Sequence, residues 1–526
     1  MSKDYPVGID FGACNLKVAH YKHGQPYPLK LNKSQKNDKW TPNVIFYKAQ
    51  EDSDEVETLI GDAARQSFRK RPEQAANFID DIKRKLELPH WSHDVPSLGH
   101  AVTAQDATHD IFSYIHGVVQ KNLDEKRDIE YAITVPVSFS AVQRHRLRAA
   151  ADSAGLKVRC LLTEPFAAIF SEAVWDKIAD EGERQVVVVC DFGGSTIDLS
   201  LLEIEPDDDT PVVRELGACG LHYGGRDIDA RIESDVLQEK YGTEIAAIET
   251  PENRDELAFE VQSVAAHLKE TLCLDCEEDE DATEVLSVTG AAHSIHVTFT
   301  HEELRAILVA DDMEARLKRA LDELFLQAGG AVLKSDVTMV KALGGTSLVR
   351  PLLDIVSSYF GERNGTKIFD PENEDQFDRY DDETLYFSVA QGAASYLQKQ
   401  QAEELDLTIE NVVPFNIGRL TKKGFVRCLN RGWRTGWGKR KFVAWDEVAD
   451  EGGKITFYQR LADAASSSTD VYVGSVTVDR AKYKNPKGLA MYLRVQEDDT
   501  ILVKLKDLRP GEEPFEEVLP VEMGDA

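Results

Sequence analysis

Two apolar runs in this chain end in the same tripeptide, and each is followed by a second apolar run. The first is VGIDFGACNLKVA, carrying Asp10, Phe11 and Gly12; the second is VVVVCDFGGSTIDLSLLEI, carrying Asp191, Phe192 and Gly193. A single glycine after a strand is ordinary turn chemistry. A repeated strand-turn-strand unit, with an Asp closing each leading strand, restricts the fold far more. Its tight turn directs backbone N–H groups at an anion, and the strand-end carboxylate is placed to hold a hydrated Mg²⁺. Two such hairpins, each opening half of one region, predict two homologous lobes closing on one nucleotide.

The rest of the chain is patterned accordingly. Short β-type runs (VGIDF, LKVAHY, NVIFY, YAITVP) alternate with helical stretches such as Ala104 to Leu123, which reads as α/β up to about residue 185. The pattern restarts at Val186 and continues through a helix-rich block from Asp227 to Leu324. A third glycine turn, Gly344-Gly345-Thr346, precedes a helix around Pro351 to Tyr359, whose N-terminus suits phosphate or nucleoside. The predicted organisation is a region 1–400 with lobes of about 1–185 and 186–400, then a linker over 401–410 carrying Leu405, Leu407 and Ile409. Seven β-type runs separated by Gly, Asp and Asn turns follow and predict a β-sandwich over 411–510, with an acidic tail over 511–526.

With 526 residues the chain exceeds what one core holds, roughly 250–300 residues, so several packing units are expected. A net charge of −32 disfavours nucleic acid and anionic membranes as partners, because phosphate binding needs clustered Lys and Arg. No apolar run has the length of a membrane span, and the N-terminus MSKDYPVGID lacks the regions of a signal peptide. Seven scattered cysteines form no disulfide framework; the expectation is a cytoplasmic protein.

Several segments occur in a telling order: IDFG at Ile9, IGDAA at Ile60, NFIDDIKRKL at Asn77, ITVPVSFSAVQR at Ile133, TEPFAA at Thr163, CDFGGSTIDLS at Cys190, LHYGGRDID at Leu221, ALGGTSLVRPLL at Ala342, then NVVPFNIG and TILVKLKD. In this the chain resembles the DnaK-type heat-shock chaperone family. The resemblance implies an α/β fold: an actin-like two-lobed ATPase domain of duplicated ribonuclease-H-like subdomains, followed by a β-sandwich that binds peptides. It implies ATP or ADP with Mg²⁺ as cofactors, extended apolar peptides as clients, and a J-domain co-chaperone and a nucleotide-exchange factor as partners. By the same resemblance Lys83, Glu164, Asp191 and Thr196 are the catalytic residues, and Asp10, Asp191 and Asp198 face the metal. Gly12, Ala13, Cys14, Gly193, Gly194, Ser195, Gly224, Gly225, Lys269, Cys273, Gly344, Gly345, Thr346 and Leu348 fall where the family contacts nucleotide. Pro136 and Arg144 fall where it links that site to the interdomain surface.

The residue types suit phosphoryl transfer to water, which needs positioning and charge neutralisation more than covalent chemistry. The departures are local. Ala13 and Cys14 replace two threonines of the first turn, a loss of about 1.5–3 kcal/mol for each hydroxyl donor to a charged oxygen. In the adenosine pocket only Lys269 survives of a set that here reads Ala266, Lys269, Glu270 and Cys273, and Leu348 replaces a stacking arginine. Cys273 and Cys276 form a lone CxxC without the four ligands of a closed zinc site. The family's helical lid has no counterpart, so fast peptide release is expected, and the hydroxyls lost at Ala13 and Cys14 predict slow ATP hydrolysis. The alternative is an ATP-binding, non-hydrolysing partner of another chaperone. A protein-kinase reading of Asp-Phe-Gly fails, since no HRD-type loop precedes Asp191. Phe425, Trp433, Trp437 and Phe442 are candidates for a peptide cleft.

Overall fold

The computed structural model describes residues 4–31, 40–50, 55–88, 90–123, 128–171, 183–205, 212–291, 293–363, 365–379, 381, 383–402, 416–421, 424–430, 437–450, 452–460, 470–496, 501–507 and 516–523. The linker residues Leu405, Leu407 and Ile409 and the cleft candidate Trp433 lie outside them.

Both leading strands, Tyr5–Phe11 and Gln185–Phe192, are buried along their whole length. A continuous apolar run of this kind belongs to a strand covered on both faces. Tyr5–Phe11 pairs in parallel with Ile129–Val135 and antiparallel with Asn15–Lys22, at the centre of a six-stranded sheet. Gln185–Phe192 repeats the arrangement in a four-stranded sheet, antiparallel to Ile197–Glu205 and parallel to Met339–Leu343. The two hairpins share one register. Asp10 stands opposite Lys17, and Asp191 stands opposite Asp198.

Each sheet is covered by a helix that follows the other one. The short helix Glu164–Ala168 leaves the first sheet, and its Phe166 and Ala167 share a core with Val187, Val189 and Leu202 of the second. The helix Ser388–Gln401, in the stretch expected within the second lobe, returns to the first sheet, where Ala390 and Ala394 pack on Ala19. A side chain on Gly8 would overlap the Ala390 carbonyl. The two helices meet at Gly392, where any Cβ would overlap the Ala167 carbonyl, so only glycine allows the approach.

Each of the seven predicted β-type runs contains a strand. Two sheets, of five and four strands, enclose one core that includes Ile417, Phe457, Val473, Leu489, Leu493 and Val503. The stretch expected as an acidic tail contributes a strand to each sheet, Glu516–Pro520 and Glu522–Met523. Lysines on neighbouring elements neutralise its acids: Glu516 lies 3.0 Å from Lys504 and Glu517 2.6 Å from Lys482. Cross-strand pairs of this kind let a charged run join a sheet. Of the cleft candidates, Phe442 is exposed, whereas Phe425 and Trp437 are half-buried beneath Arg460 and Lys504.

The sandwich contacts the first lobe at the start of helix Ala141–Ser153. There the Ala141 N–H donates to Gln459 Oε1 at 3.1 Å, and Ala141 joins the sandwich core. Among the described residues no helix is long and apolar enough to cross a membrane, and all seven cysteines are free.

Candidate nucleotide site

The strand-end carboxylates meet where the two hairpins face each other. Cross-strand pairing puts Asp10 and Lys17 on one side of the first hairpin, and Lys17 Nζ donates to Asp10 Oδ2 at 2.7 Å. In the second hairpin Asp198 Oδ1 accepts the Val137 N–H at 2.7 Å. Asp81, in the left-handed region at φ 48°, turns the chain into the short helix Ile82–Lys85. That helix delivers Lys83, whose Nζ donates to Glu164 Oε1 at 2.6 Å with both side chains buried. Glu164 opens its own helix, followed by Pro165 in the first turn, where proline costs no hydrogen bond.

Four carboxylates, Asp10, Glu164, Asp191 and Asp198, therefore share a buried region with two ammonium groups, Lys17 and Lys83. Their titration reflects the excess of negative charge. Burial first, then Glu164, pushes Asp198 up to about 7, against the Thr196 hydroxyl, Lys83 and the Val137 N–H. Burial, together with Glu164, Asp10 and Asp198, raises Asp191 well above the usual carboxylate range. Burial raises Glu164 as well, and Lys83 opposes it. All these donors are hard oxygens, which suit Mg²⁺, and two uncompensated negative charges suit a divalent ion. Among the described residues no three His, Cys, Asp or Glu side chains converge closely enough to hold an ion directly. The set thus fits a hydrated Mg²⁺ held partly by phosphate oxygens rather than an all-protein cage.

The two turns touch. A Cβ on Gly194 would come 2.5 Å from Cys14 Sγ, so a larger residue there would displace the thiol. Arg226 Nε donates to the same sulfur at 3.3 Å and its Nη1 lies 3.1 Å from Asp81. Arg84 donates to Ser195 Oγ at 2.9 Å and to Asp227 at 2.7 Å. Asn43 Nδ2 donates to the Gly12 carbonyl at 2.7 Å, and Ala13 is buried beside it. Several predicted contact residues brace the second turn. The Gly193 N–H closes on the Thr196 carbonyl, while the Gly193 carbonyl accepts from Gly225 N–H and Thr346 Oγ1. Gly224 packs on Gly194, and the Gly344 N–H donates to Leu385.

The structure thus brings Asp10, Lys83, Glu164, Asp191, Thr196 and Asp198 together. Lys269 is held by Asp229 and the Gly225 carbonyl at 2.5 and 3.0 Å. Cys273 lies one turn further along the helix Arg254–Leu274, its thiol pushed up to about 11 by burial, and Leu348 packs on the second-lobe core. Gly345 faces the ring of Tyr386, which in turn packs on Trp40 with centroids 4.7 Å apart. A cavity of about 190 Å³ opens beside Lys83, Arg84, Pro136, Phe139, Ser195 and Thr196. Ligand sites usually measure roughly 300–1,000 Å³. This cavity accommodates a phosphate group.

Lys17, Arg226, Trp40 and Tyr386 were not singled out from the sequence. Lys17 carried a usable signal: it lies seven residues after Asp10, as Asp198 lies seven after Asp191.

A two-lobed actin-like fold with duplicated strand-end carboxylates, joined to a β-sandwich, defines an ATP-binding chaperone class. The family model described as "Hsp70 protein" matches residues 6–430. The chaperone protein DnaK of Buchnera aphidicola subsp. Schizaphis graminum is 23% identical over 534 residues, covering 96% of this chain and 77% of that relative. The chain belongs to the Hsp70 family.

Proposed function

We propose that this Hsp70-family chain binds ATP with Mg²⁺, hydrolyses it slowly, and uses the nucleotide state to control peptide binding by its β-sandwich. The observation that carries this reading is the buried Lys83–Glu164 pair, at 2.6 Å, beside the carboxylates of both hairpins. Lys83 supplies positive charge to the transferred phosphoryl group and orients the attacking water. Thr196 offers its hydroxyl to the same group. Glu164 or Asp191, each with a raised affinity for protons, accepts the proton that water loses as the terminal P–O bond breaks. When bound, Mg²⁺ would neutralise phosphate charge next to Asp10, Asp191 and Asp198.

A short route joins this site to the sandwich. Pro136, Phe139 and Gln143 line the cavity, and Ala141 between them donates to Gln459. Phosphate entering the cavity acts on the same loop that holds the sandwich. Extended apolar peptides are the proposed clients, with a J-domain co-chaperone and a nucleotide-exchange factor as partners. Single-turnover hydrolysis tests the reading: Lys83→Ala and Asp191→Asn each lower the rate by about a hundredfold or more. A rate unchanged by both overturns it.

A second reading, an ATP-binding partner that does not hydrolyse, is favoured by the departures around adenosine, where Leu348 stands in place of a stacking arginine and packs on the second-lobe core. Anisotropy of a labelled apolar peptide separates the two. ATP-dependent release supports the first reading, and no binding with or without ATP supports the second.

A further inference from the structure

The two hairpins are built alike, yet their cross-strand partners carry opposite charge. At the position where the second hairpin has Asp198 facing Asp191, the first has Lys17 facing Asp10. Lys17 is not a surface lysine folded back by chance. Its side chain is 16% exposed, it ends 2.7 Å from a carboxylate that is itself buried, and Asp191 and Glu164 lie within electrostatic reach. It therefore reaches the midst of the carboxylate group from the strand that closes the first turn.

A buried group of four carboxylates beside the Lys83–Thr196 cavity repels bare phosphate, and a divalent ion ordinarily bridges the two. An ammonium group does the same work. It has three N–H donors and no acceptor; Asp10 takes one, and the others remain for phosphate oxygens. We infer that Lys17 is a built-in counter-ion of the phosphate site, bonding Asp10 on one side and the nucleotide phosphates on the other, so that nucleotide binding depends only weakly on Mg²⁺. This rests on the nucleotide-binding reading above. The loss of two hydroxyl donors at Ala13 and Cys14 fits the same picture: the first turn has exchanged neutral donors for one charged donor on the strand behind it. The second hairpin has no such cation and still presents Asp191 and Asp198 to a divalent ion.

The test is a titration of fluorescent ADP into the full chain, in excess Mg²⁺ and in excess EDTA, for the wild type, Lys17→Met and Lys17→Arg. The expected loss in EDTA is no more than about tenfold for the wild type and Lys17→Arg, and about a hundredfold for Lys17→Met, the scale of a lost charge-assisted hydrogen bond. A hundredfold loss for the wild type, with tight binding in Mg²⁺, overturns the inference and leaves nucleotide binding standing. Equal insensitivity of the wild type and Lys17→Met to EDTA also overturns it. No binding by the wild type in either buffer overturns the nucleotide reading itself. Should Lys17→Met fail to fold, the wild-type comparison alone still decides whether Mg²⁺ is required.

Discussion

The hairpin Tyr5–Phe11/Asn15–Lys22 and the hairpin Gln185–Phe192/Ile197–Glu205 share backbone pairing, register and the Asp-Phe-Gly turn, but they differ in how they manage charge. The first pairs its strand-end aspartate with an ammonium at 2.7 Å. The second sets two aspartates side by side, and burial first, then the charge of Glu164, keeps Asp198 near a pKa of about 7. The copy that neutralises itself has its strand-end charge balanced before any ligand arrives. The copy that does not is poised for one. Duplication fixed the geometry of both, and one residue opposite the aspartate divided the labour.

The largest effect expected from breaking this comparison is on stability. Lys17→Met leaves a buried carboxylate group with one ammonium instead of two, and lowers the unfolding free energy of the nucleotide-free protein by about 3–5 kcal/mol, measured in urea. Asp191→Asn removes charge of the sign already in excess, and instead raises stability by about 1 kcal/mol in the same measurement. Opposite signs at the two positions are the signature of the unequal hairpins; the same sign at both contradicts it.

A smaller effect follows from pH. Asp198 binds its proton more tightly in the folded chain than in the unfolded one, so the folded state holds more protons between the ordinary carboxylate value and about 7. Stability of the nucleotide-free protein therefore falls as pH rises through that window, by roughly 1 kcal/mol between pH 6 and 7.5. Thermal unfolding at the two pH values checks this. In Asp198→Asn, which keeps an oxygen for the Val137 N–H, the slope flattens. Smallest of all, Cys14→Ser returns a hydroxyl to the first turn at nearly the same size. It is expected to tighten ADP binding by about tenfold or less in the titration described above.

The hairpins, the order of strands and the sandwich were legible in the sequence because buried parallel strands read as apolar runs and turns read as glycine. Lys83 and Glu164 were legible only through family resemblance, since a lysine between charged neighbours looks like a solvated surface. Lys17 was hidden for a related reason. In NLKVAHYK a lysine between apolar residues reads as the wet face of a strand, and only the opposite strand reveals that this face looks into the site. The strands after residue 515 were masked by glutamates, whose lysine partners lie on other elements. The return of Ser388–Gln401 to the first sheet was invisible because its residues from Ser388 to Leu397 are all buried, which leaves no polar stripe to orient it.

That return has a consequence for synthesis. Ala19 and Gly8 on the first sheet await Ala390 and Ala394, which a ribosome adds only after the entire second sheet. Until then the older half of the molecule carries an uncovered apolar floor, and the younger half already leans on Phe166 and Ala167 from the older one. A chain cut before residue 388 is expected to leave a sticky, incomplete product, so this relative of chaperones itself passes through a stage that calls for one.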